Sequence, residues 1–150
     1  MGLWAPADSI TRAQAAAEQS ANRRAQERQQ GARQRARAED RYRADLAAAI
    51  LDYLAFPTAH HELAVEIADG AAARAAEVGS GRVGRTQTLS LDERAGLAAR
   101  AWIRHRYTDY EDQLTAGYGD DLLVDELDYR ATKSTANQAV DDFIAAHRHA

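Results

Sequence analysis

Large apolar residues are distributed very unevenly along this chain. In residues 11–45 the only large apolar side chain is Tyr42, and most of the remaining residues are Ala, Gln, Arg and Glu. These four are strong helix formers, but a helix without an apolar stripe has no face to bury. The pattern predicts an arm over residues 1–45, either a solvated helix or disordered, followed by a helical domain over residues 46–150.

From residue 46 onward, apolar positions recur at helical spacing. Leu46, Ile50, Tyr53 and Leu54 share one helical face, and Pro57 is expected to end this helix. Thr58 is a candidate cap for a second helix, which the spacing extends to about residue 78. The residues of this second helix expected to face inward are Leu63, Ile67, Ala71 and Ala75.

Two capping boxes mark later helix starts. Ser90 with Glu93 opens a third helix, and Thr108 with Glu111 predicts a break near Tyr107 and a short fourth helix that ends at residue 117. Residues 120–148 contain no Gly or Pro and form one kinked helix or two. Their inward-facing residues are Leu122, Leu123, Leu127, Val140, Phe143 and Ile144. The fold class is therefore all-α, a compact bundle of four to five helices with a long basic N-terminal helix or tail.

Composition narrows the class of protein. The chain has no cysteine, which excludes disulfides and thiolate metal sites, and no apolar run of membrane-spanning length. The first residues lack the basic and apolar regions of a signal peptide, so we expect a cytoplasmic protein. Eighteen arginines against the single lysine, Lys133, indicate a GC-rich bacterial genome.

The net charge of −4 conceals an asymmetry between the two parts of the chain. Residues 1–43 carry nine arginines and five acidic residues, whereas residues 44–150 carry ten basic and eighteen acidic residues. The arm is basic and the domain acidic, so the arm is expected to attract either the domain itself or an external anion.

A glycine-rich segment at 79–86 is the first candidate site. Gly79, Gly81 and Gly84 are interleaved with Arg82 and Arg85, so exposed backbone amides and two guanidinium groups are available to a phosphate. The alternative is a tight turn between helices, in which the glycines serve the backbone and the arginines bind the domain itself. The segment also resembles a P-loop with arginine in place of lysine, but a P-loop must follow a buried strand and open a helix directly.

The second candidate site lies at the end of the third helix. Arg100 and Arg104 are one helical turn apart and Arg106 follows closely, so the three would form a basic patch. The aromatic residues that would offer stacking faces to nucleic-acid bases are Trp102, Tyr107 and Tyr110. Alternatively, Trp102 belongs to the core and the arginines pair with acidic residues of the domain.

His105 and Asp109 are a further candidate, as a general base and its orienting carboxylate. The predicted helix break at Thr108 separates them, and no nucleophile accompanies them, so a satisfied and partly buried histidine is the favoured interpretation. No residue spacing matches a metal or cofactor site, and neither is predicted.

The two candidate segments resemble a family of uncharacterised small domains from bacteria and fungi. The family has a Gly-Arg-Val-Gly-Arg loop, present here at 81–85, and then a helix ending in His/Trp-Ile-Arg-His-x-x-Thr-Asp-Tyr-Asp, present here at 102–111. Trp102 replaces the commoner histidine and Glu111 replaces the aspartate. The resemblance covers residues 46–148, implies a helical fold and excludes the arm; it implies no substrate.

These observations favour a non-enzymatic helical module that binds a phosphate-rich ligand, foremost a nucleic acid. The residues expected to bind it are Arg82, Arg85, Arg100, Arg104 and Arg106, with Gly79, Gly81 and Gly84 shaping the loop. An assembly component that uses the N-terminal helix to bind a protein partner is the alternative. A phosphate-processing enzyme is the remote alternative.

Overall fold

The computed structural model describes residues 6–77, 84, 86, 88–110, 112 and 126–149, with the backbone alone described over 126–129. Within these residues it contains four α-helices, one 3₁₀ turn and no strand. The α-helices are α1 (Ala7–Leu54), α2 (His61–Ala75), α3 (Leu91–Tyr107) and α4 (Glu126–Arg148), and the 3₁₀ turn spans Thr58–His60. The all-α prediction is confirmed.

The chain divides into two compact units, Met1–Asp40 and Arg41–Ala150. From here on the name arm denotes the first unit, Met1–Asp40, and not residues 1–45. Its described residues from Ala7 onward are helical and almost all are exposed. The sequence left helix and disorder open for this segment, and the structure has the helix. Its composition explains the exposure, because alanine, glutamine and charged residues favour a helix without supplying an apolar stripe.

In the second unit, Leu46, Ile50 and Leu54 of α1 are fully buried, as their spacing predicts. They join Ile67 of α2, Ile103 of α3 and Val140 of α4 in one apolar cluster. Much of the remaining core is alanine, which allows α2 and α3 to pack closely. Trp102 of α3 lies over Gly70 of α2, where an added Cβ would lie 2.3 Å from the indole ring.

Helix α1 ends just before Pro57, as predicted. Ala55 adopts a positive φ of 50°, the left-handed conformation common after a helix C-terminus. Arg148 at the end of α4 donates from Nε to the carbonyl oxygen of Leu54 at 2.9 Å and from Nη2 to that of Tyr53 at 2.5 Å. The last residues of α4 therefore satisfy the terminal carbonyls of α1.

The start of α2 differs from the prediction. Thr58 does not cap this helix, because Thr58–His60 form a 3₁₀ turn in which the His60 amide donates to the Pro57 carbonyl oxygen at 2.9 Å. The N-cap of α2 is His60, whose side chain makes no capping bond. The helix ends at Ala75, and Gly79, its expected terminator, lies outside the described residues.

Helix α3 begins and ends as predicted. Ser90 Oγ accepts from the Glu93 amide at 3.2 Å, and Glu93 Oε2 accepts from the Ser90 amide at 2.8 Å. The hydrogen bond that the Ser90 amide donates to the Glu93 carboxylate, followed by the interaction of that carboxylate with the Ser90 hydroxyl, holds the pKa of Glu93 below its ordinary value. The helix stops at Tyr107, and Thr108 is extended.

Helix α4 begins at Glu126 and buries Val140 and Ile144, as its spacing predicts. Most of the predicted fourth helix at 108–117 lies outside the described residues, as do Leu122, Leu123 and the side chain of Leu127. In the part of the chain that is described, no helix combines the length and apolar character needed to cross a membrane.

Candidate nucleic-acid interface

The glycine-rich segment is described only in part. Gly79, Gly81, Arg82 and Arg85 lie outside the described residues, whereas Gly84 is described and buried. A Cβ on Gly84 would lie 2.3 Å from the carbonyl oxygen of Ala75. Glycine is therefore required at this position because the chain packs directly against the end of α2.

The carbonyl oxygen of Gly84 is contacted by the side chains of Tyr42 and Arg94, and the sequence did not predict this contact. The Tyr42 hydroxyl donates to it, and Arg94 Nη1 lies 3.4 Å from it. Arg94 Nη1 also donates to the Tyr42 hydroxyl oxygen at 2.7 Å, while its Nε donates to the Ser90 carbonyl oxygen at 3.2 Å. This network fastens Gly84 to α1 and α3, so Gly84 has a structural role.

The same region bears on the P-loop alternative. The chain before the glycine-rich segment is helical through Ala75, and the next helix opens at Ser90 and Leu91. A P-loop instead needs a buried strand before the loop and a helix immediately after it. This arrangement does not support the phosphate-processing alternative.

Arg100, the first arginine of the second candidate site, is bound to Asp141 of α4. Its Nη1 lies 2.5 Å from Asp141 Oδ1, and 30% of the Arg100 side chain is exposed. The hydrogen bond from Arg100 lowers the pKa of Asp141, and the same bond raises the pKa of Arg100. Arg100 therefore has less capacity to bind an external phosphate than an unpaired arginine.

Arg104 and Arg106 lie in different environments. Arg104 is half-buried, with its guanidinium carbon 5.0 Å from the centroid of the Tyr110 ring. Its Nε is buried and has no hydrogen-bond partner among the described residues. Arg106 is exposed near the end of α3. Of the three predicted arginines on this helix, Arg106 is the one that is exposed.

The three predicted stacking residues pack within the domain. Trp102 lies against Gly70 and is half-buried. Tyr107 stacks on Phe143 with ring centroids 5.1 Å apart and donates its hydroxyl to Glu66 Oε1 at 3.0 Å. Burial, followed by the bond to Glu66, raises the pKa of Tyr107. Tyr110 is buried, so these rings contribute mainly to packing.

His105 departs from its prediction. It was expected to be partly buried, but it is exposed, with its ring edge-to-face to Tyr110 at a centroid distance of 5.8 Å. Position 105 lies in the last turn of α3, opposite the buried Ile103 face, which accounts for the exposure. Asp109 is also exposed, after the helix break. Among the described residues, no three His, Asp or Glu side chains form a group that could hold a metal ion.

Replacement of Asp141 by asparagine tests the Arg100 pair. The pKa of Asp141 is lowered in the folded state. Its ionised carboxylate therefore contributes to the free energy of unfolding above the ordinary aspartate pKa, near 4. This contribution is lost as the pH falls through the lower pKa of the folded state. We expect Asp141→Asn to lower the free energy of unfolding by about 0.2–1 kcal/mol at pH 7, since the pair is partly exposed. Urea unfolding at pH 7 and pH 3 measures the change.

Asp142→Asn is the matched control, because it removes the same charge from the next residue, which bonds to Gln138 and not to Arg100. The difference between wild type and Asp141→Asn should shrink from pH 7 to pH 3. An Asp141→Asn effect that equals the Asp142→Asn effect at both pH values would contradict the pairing.

The arm presents a different set of arginines. Within the described arm residues, seven arginines lie on the helix and all are exposed: Arg12, Arg23, Arg24, Arg28, Arg33, Arg35 and Arg37. The Arg23–Glu27 pair, at 3.9 Å, leaves both side chains more than 60% exposed. The density of arginine at 23–37 is visible in the sequence, but the residues predicted to bind a phosphate-rich ligand all lie outside the arm.

Comparison with known proteins gives the family but no activity. No curated protein and no solved structure matches the chain. The family profile of the uncharacterised conserved proteins DUF2293 matches residues 55–148. This range contains α2, α3 and α4 and excludes the arm. The chain therefore belongs to the DUF2293 family of uncharacterised conserved proteins.

Proposed function

We propose that this protein is a non-enzymatic module that binds nucleic acid through the phosphate backbone, with the arm making most of the contacts. The observation that carries the proposal is the run of exposed arginines on the helical arm. Guanidinium groups bind phosphates with paired hydrogen bonds, and neutralised phosphates release counterions, which drives association.

Three arginines of the second unit are bound to other groups of that unit. Arg94 binds Tyr42 and Gly84, Arg100 binds Asp141, and Arg148 binds the end of α1. These bonds compete with any external phosphate. In the proposal, Arg106 and the loop arginines Arg82 and Arg85 add contacts to those of the arm, while Arg100 and Arg104 contribute less.

The charge distribution supports the same assignment. Residues 1–43 have a net charge of +4 and residues 44–150 a net charge of −8. A polyanion is attracted by the first segment and repelled by the second. A cytoplasmic location, which the sequence predicts, would bring the protein into contact with nucleic acid.

The test measures binding of the full chain to mixed-sequence DNA and RNA by fluorescence anisotropy. We expect Arg24→Gln/Arg28→Gln/Arg35→Gln to weaken binding at least about tenfold, because three phosphate contacts are lost. Arg82→Ala/Arg85→Ala is expected to weaken it less. Circular dichroism verifies that each variant keeps its helices.

Absence of binding by the wild-type chain would contradict the proposed function. Equal affinity of the wild type and the triple arm variant would contradict the assignment to the arm.

The second candidate function is assembly with a protein partner through the arm. The observation that favours it is Ile10, a large apolar residue of the arm helix with 48% of its area exposed. A protein partner that covers Ile10 would remove its exposed apolar area from water. Sedimentation of the full chain and of Ile10→Ser tests this candidate, since a self-association that depends on Ile10 would support it over nucleic-acid binding.

A further inference from the structure

The arginines of the arm lie in two rows along the helix. An α-helix turns about 100° per residue, so residues 12, 23 and 37 fall within about 40° of one another around the axis. Residues 24, 28 and 35 fall within another sector of similar width. The centres of the two rows are about 140° apart. The first row is Arg12, Arg23 and Arg37, and the second row is Arg24, Arg28 and Arg35.

The narrower sector between the two rows carries mostly small side chains. Its small residues are Ser9, Ala13, Ala16, Ser20, Gly31 and Ala38. Gln34 and Glu27 are its larger members. We call this sector the small face. Over residues 24–35, where both rows are present, the sector holds Glu27, Gly31 and Gln34, so Gly31 is the position at which the helix backbone can come close to whatever it contacts.

The acidic residues of the arm lie mainly on the opposite, wider sector. They are Asp8, Glu18, Glu39 and Asp40, and Arg33 shares this sector with them. Glu27 is the single acidic residue of the described arm on the small face. Charge is therefore arranged around the helix as well as along it, because arginines border the small face and four of the five carboxylates of the described arm lie on the opposite sector.

We propose that the arm lies in the major groove of B-form DNA, with the small face toward the groove floor and one arginine row toward the phosphates of each strand. This inference deepens the proposed function and depends on it. The major groove is about 12 Å wide and accepts one α-helix, whose diameter with side chains is about 10–12 Å. A helix in this position has a phosphate backbone on each side, which matches two flanking rows.

The first row spans residues 12–37 and the second row spans residues 24–35, so the two rows run side by side over residues 24–35. This overlap is about 17 Å long at 1.5 Å per residue. A-form RNA duplexes have a deep, narrow major groove that does not admit side chains in this way. A single strand offers one phosphate backbone and would contact one row at a time. The arrangement therefore favours duplex DNA over both.

Glu27 provides the sharpest test of this orientation. Its carboxylate lies on the small face. Its ion pair with Arg23 is highly exposed, so the pair contributes little to the stability of the helix. A carboxylate about 6 Å from a phosphate repels it, and in water this repulsion weakens binding about threefold. Glu27→Gln should therefore tighten binding to duplex DNA about threefold, while its matched control Glu18→Gln, on the opposite sector, should leave the affinity unchanged.

The experiment measures anisotropy of the full chain with one 20-base-pair sequence as DNA duplex, single-stranded DNA and RNA duplex, at a fixed salt concentration. We expect the DNA duplex to bind most tightly and Arg28→Gln to weaken it more than Arg33→Gln, which lies on the opposite sector. Circular dichroism of each variant verifies that the arm remains helical.

Equal or tighter binding of the single strand or the RNA duplex would overturn the groove proposal while leaving the proposed function in place. Equal effects of Glu27→Gln and Glu18→Gln would overturn the orientation. Absence of binding to all three probes would overturn both this inference and the proposed function.

Discussion

Replacing Ile103 by alanine is expected to lower the free energy of unfolding by about 2–5 kcal/mol. Ile103 is one of six large side chains that are fully buried in the described residues. Much of the surrounding core is alanine, whose short side chains cannot move to fill the space. Because small domains are stable by only about 5–15 kcal/mol, the variant should unfold at a much lower urea concentration.

Leu97→Ala is the matched control for Ile103→Ala, since both residues lie on α3 and Leu97 is 48% exposed. We expect it to change the free energy of unfolding by less than about 0.5 kcal/mol. Similar losses in the two variants would contradict the placement of Ile103 in the core.

Replacing Gly84 by alanine is expected to cost about 3 kcal/mol, through a clash with a backbone atom. The new Cβ would lie 2.3 Å from the Ala75 carbonyl oxygen, and a backbone group at the end of a helix cannot rotate away as a long side chain can. Movement of Gly84 would also pull its carbonyl oxygen away from Tyr42 and Arg94. Thermal and urea unfolding measure the loss.

Gly31→Ala makes the same chemical change in the exposed helix of the arm. Its Cβ would meet only the flexible end of Arg35, at 3.3 Å. Glycine is about 1 kcal/mol less favourable than alanine within a helix, so this variant should increase the helicity of the arm. A stability of Gly84→Ala within about 0.5 kcal/mol of wild type would contradict the close packing of Gly84 on α2.

Local sequence signals account for most of the fold. The fully buried positions of α1 follow from apolar spacing alone, and Pro57 ends that helix because the residue before proline disfavours the helical conformation. The reciprocal bonds of Ser90 and Glu93 follow from residue types three positions apart. Thr58 is the local exception, because a 3₁₀ turn after Pro57 delays the start of α2.

The candidate site was harder to predict because its contacts join distant parts of the chain. Arg94 binds Tyr42, which is 52 residues away, and Arg100 binds Asp141, which is 41 residues away. Sequence spacing within one helix identifies Arg100 and Arg104 as neighbours. It does not show that Arg100 is bound to Asp141 or that the guanidinium group of Arg104 lies over the Tyr110 ring. The prediction of a partly buried His105 is wrong for a different reason, because helical periodicity places position 105 opposite the buried Ile103.

In the arm, the secondary structure could not be predicted from the sequence, but the arrangement of side chains around the helix follows from it. Its composition did not decide between a helix and disorder, since strong helix propensity and the absence of an apolar stripe favour different outcomes. Once the helix is established over Ala7–Leu54, the positions of the two arginine rows and the small face follow from the sequence by helical periodicity alone.

The salt dependence of DNA binding tests the central claim most directly. The affinity of the full chain for a DNA duplex is measured from low to physiological salt, for wild type and for Arg24→Gln/Arg28→Gln/Arg35→Gln. We predict that log K falls linearly with log salt in the wild type, and that the slope becomes shallower by about three in the variant, about one for each lost phosphate contact. Identical slopes, or an affinity independent of salt, would contradict nucleic-acid binding through the arm.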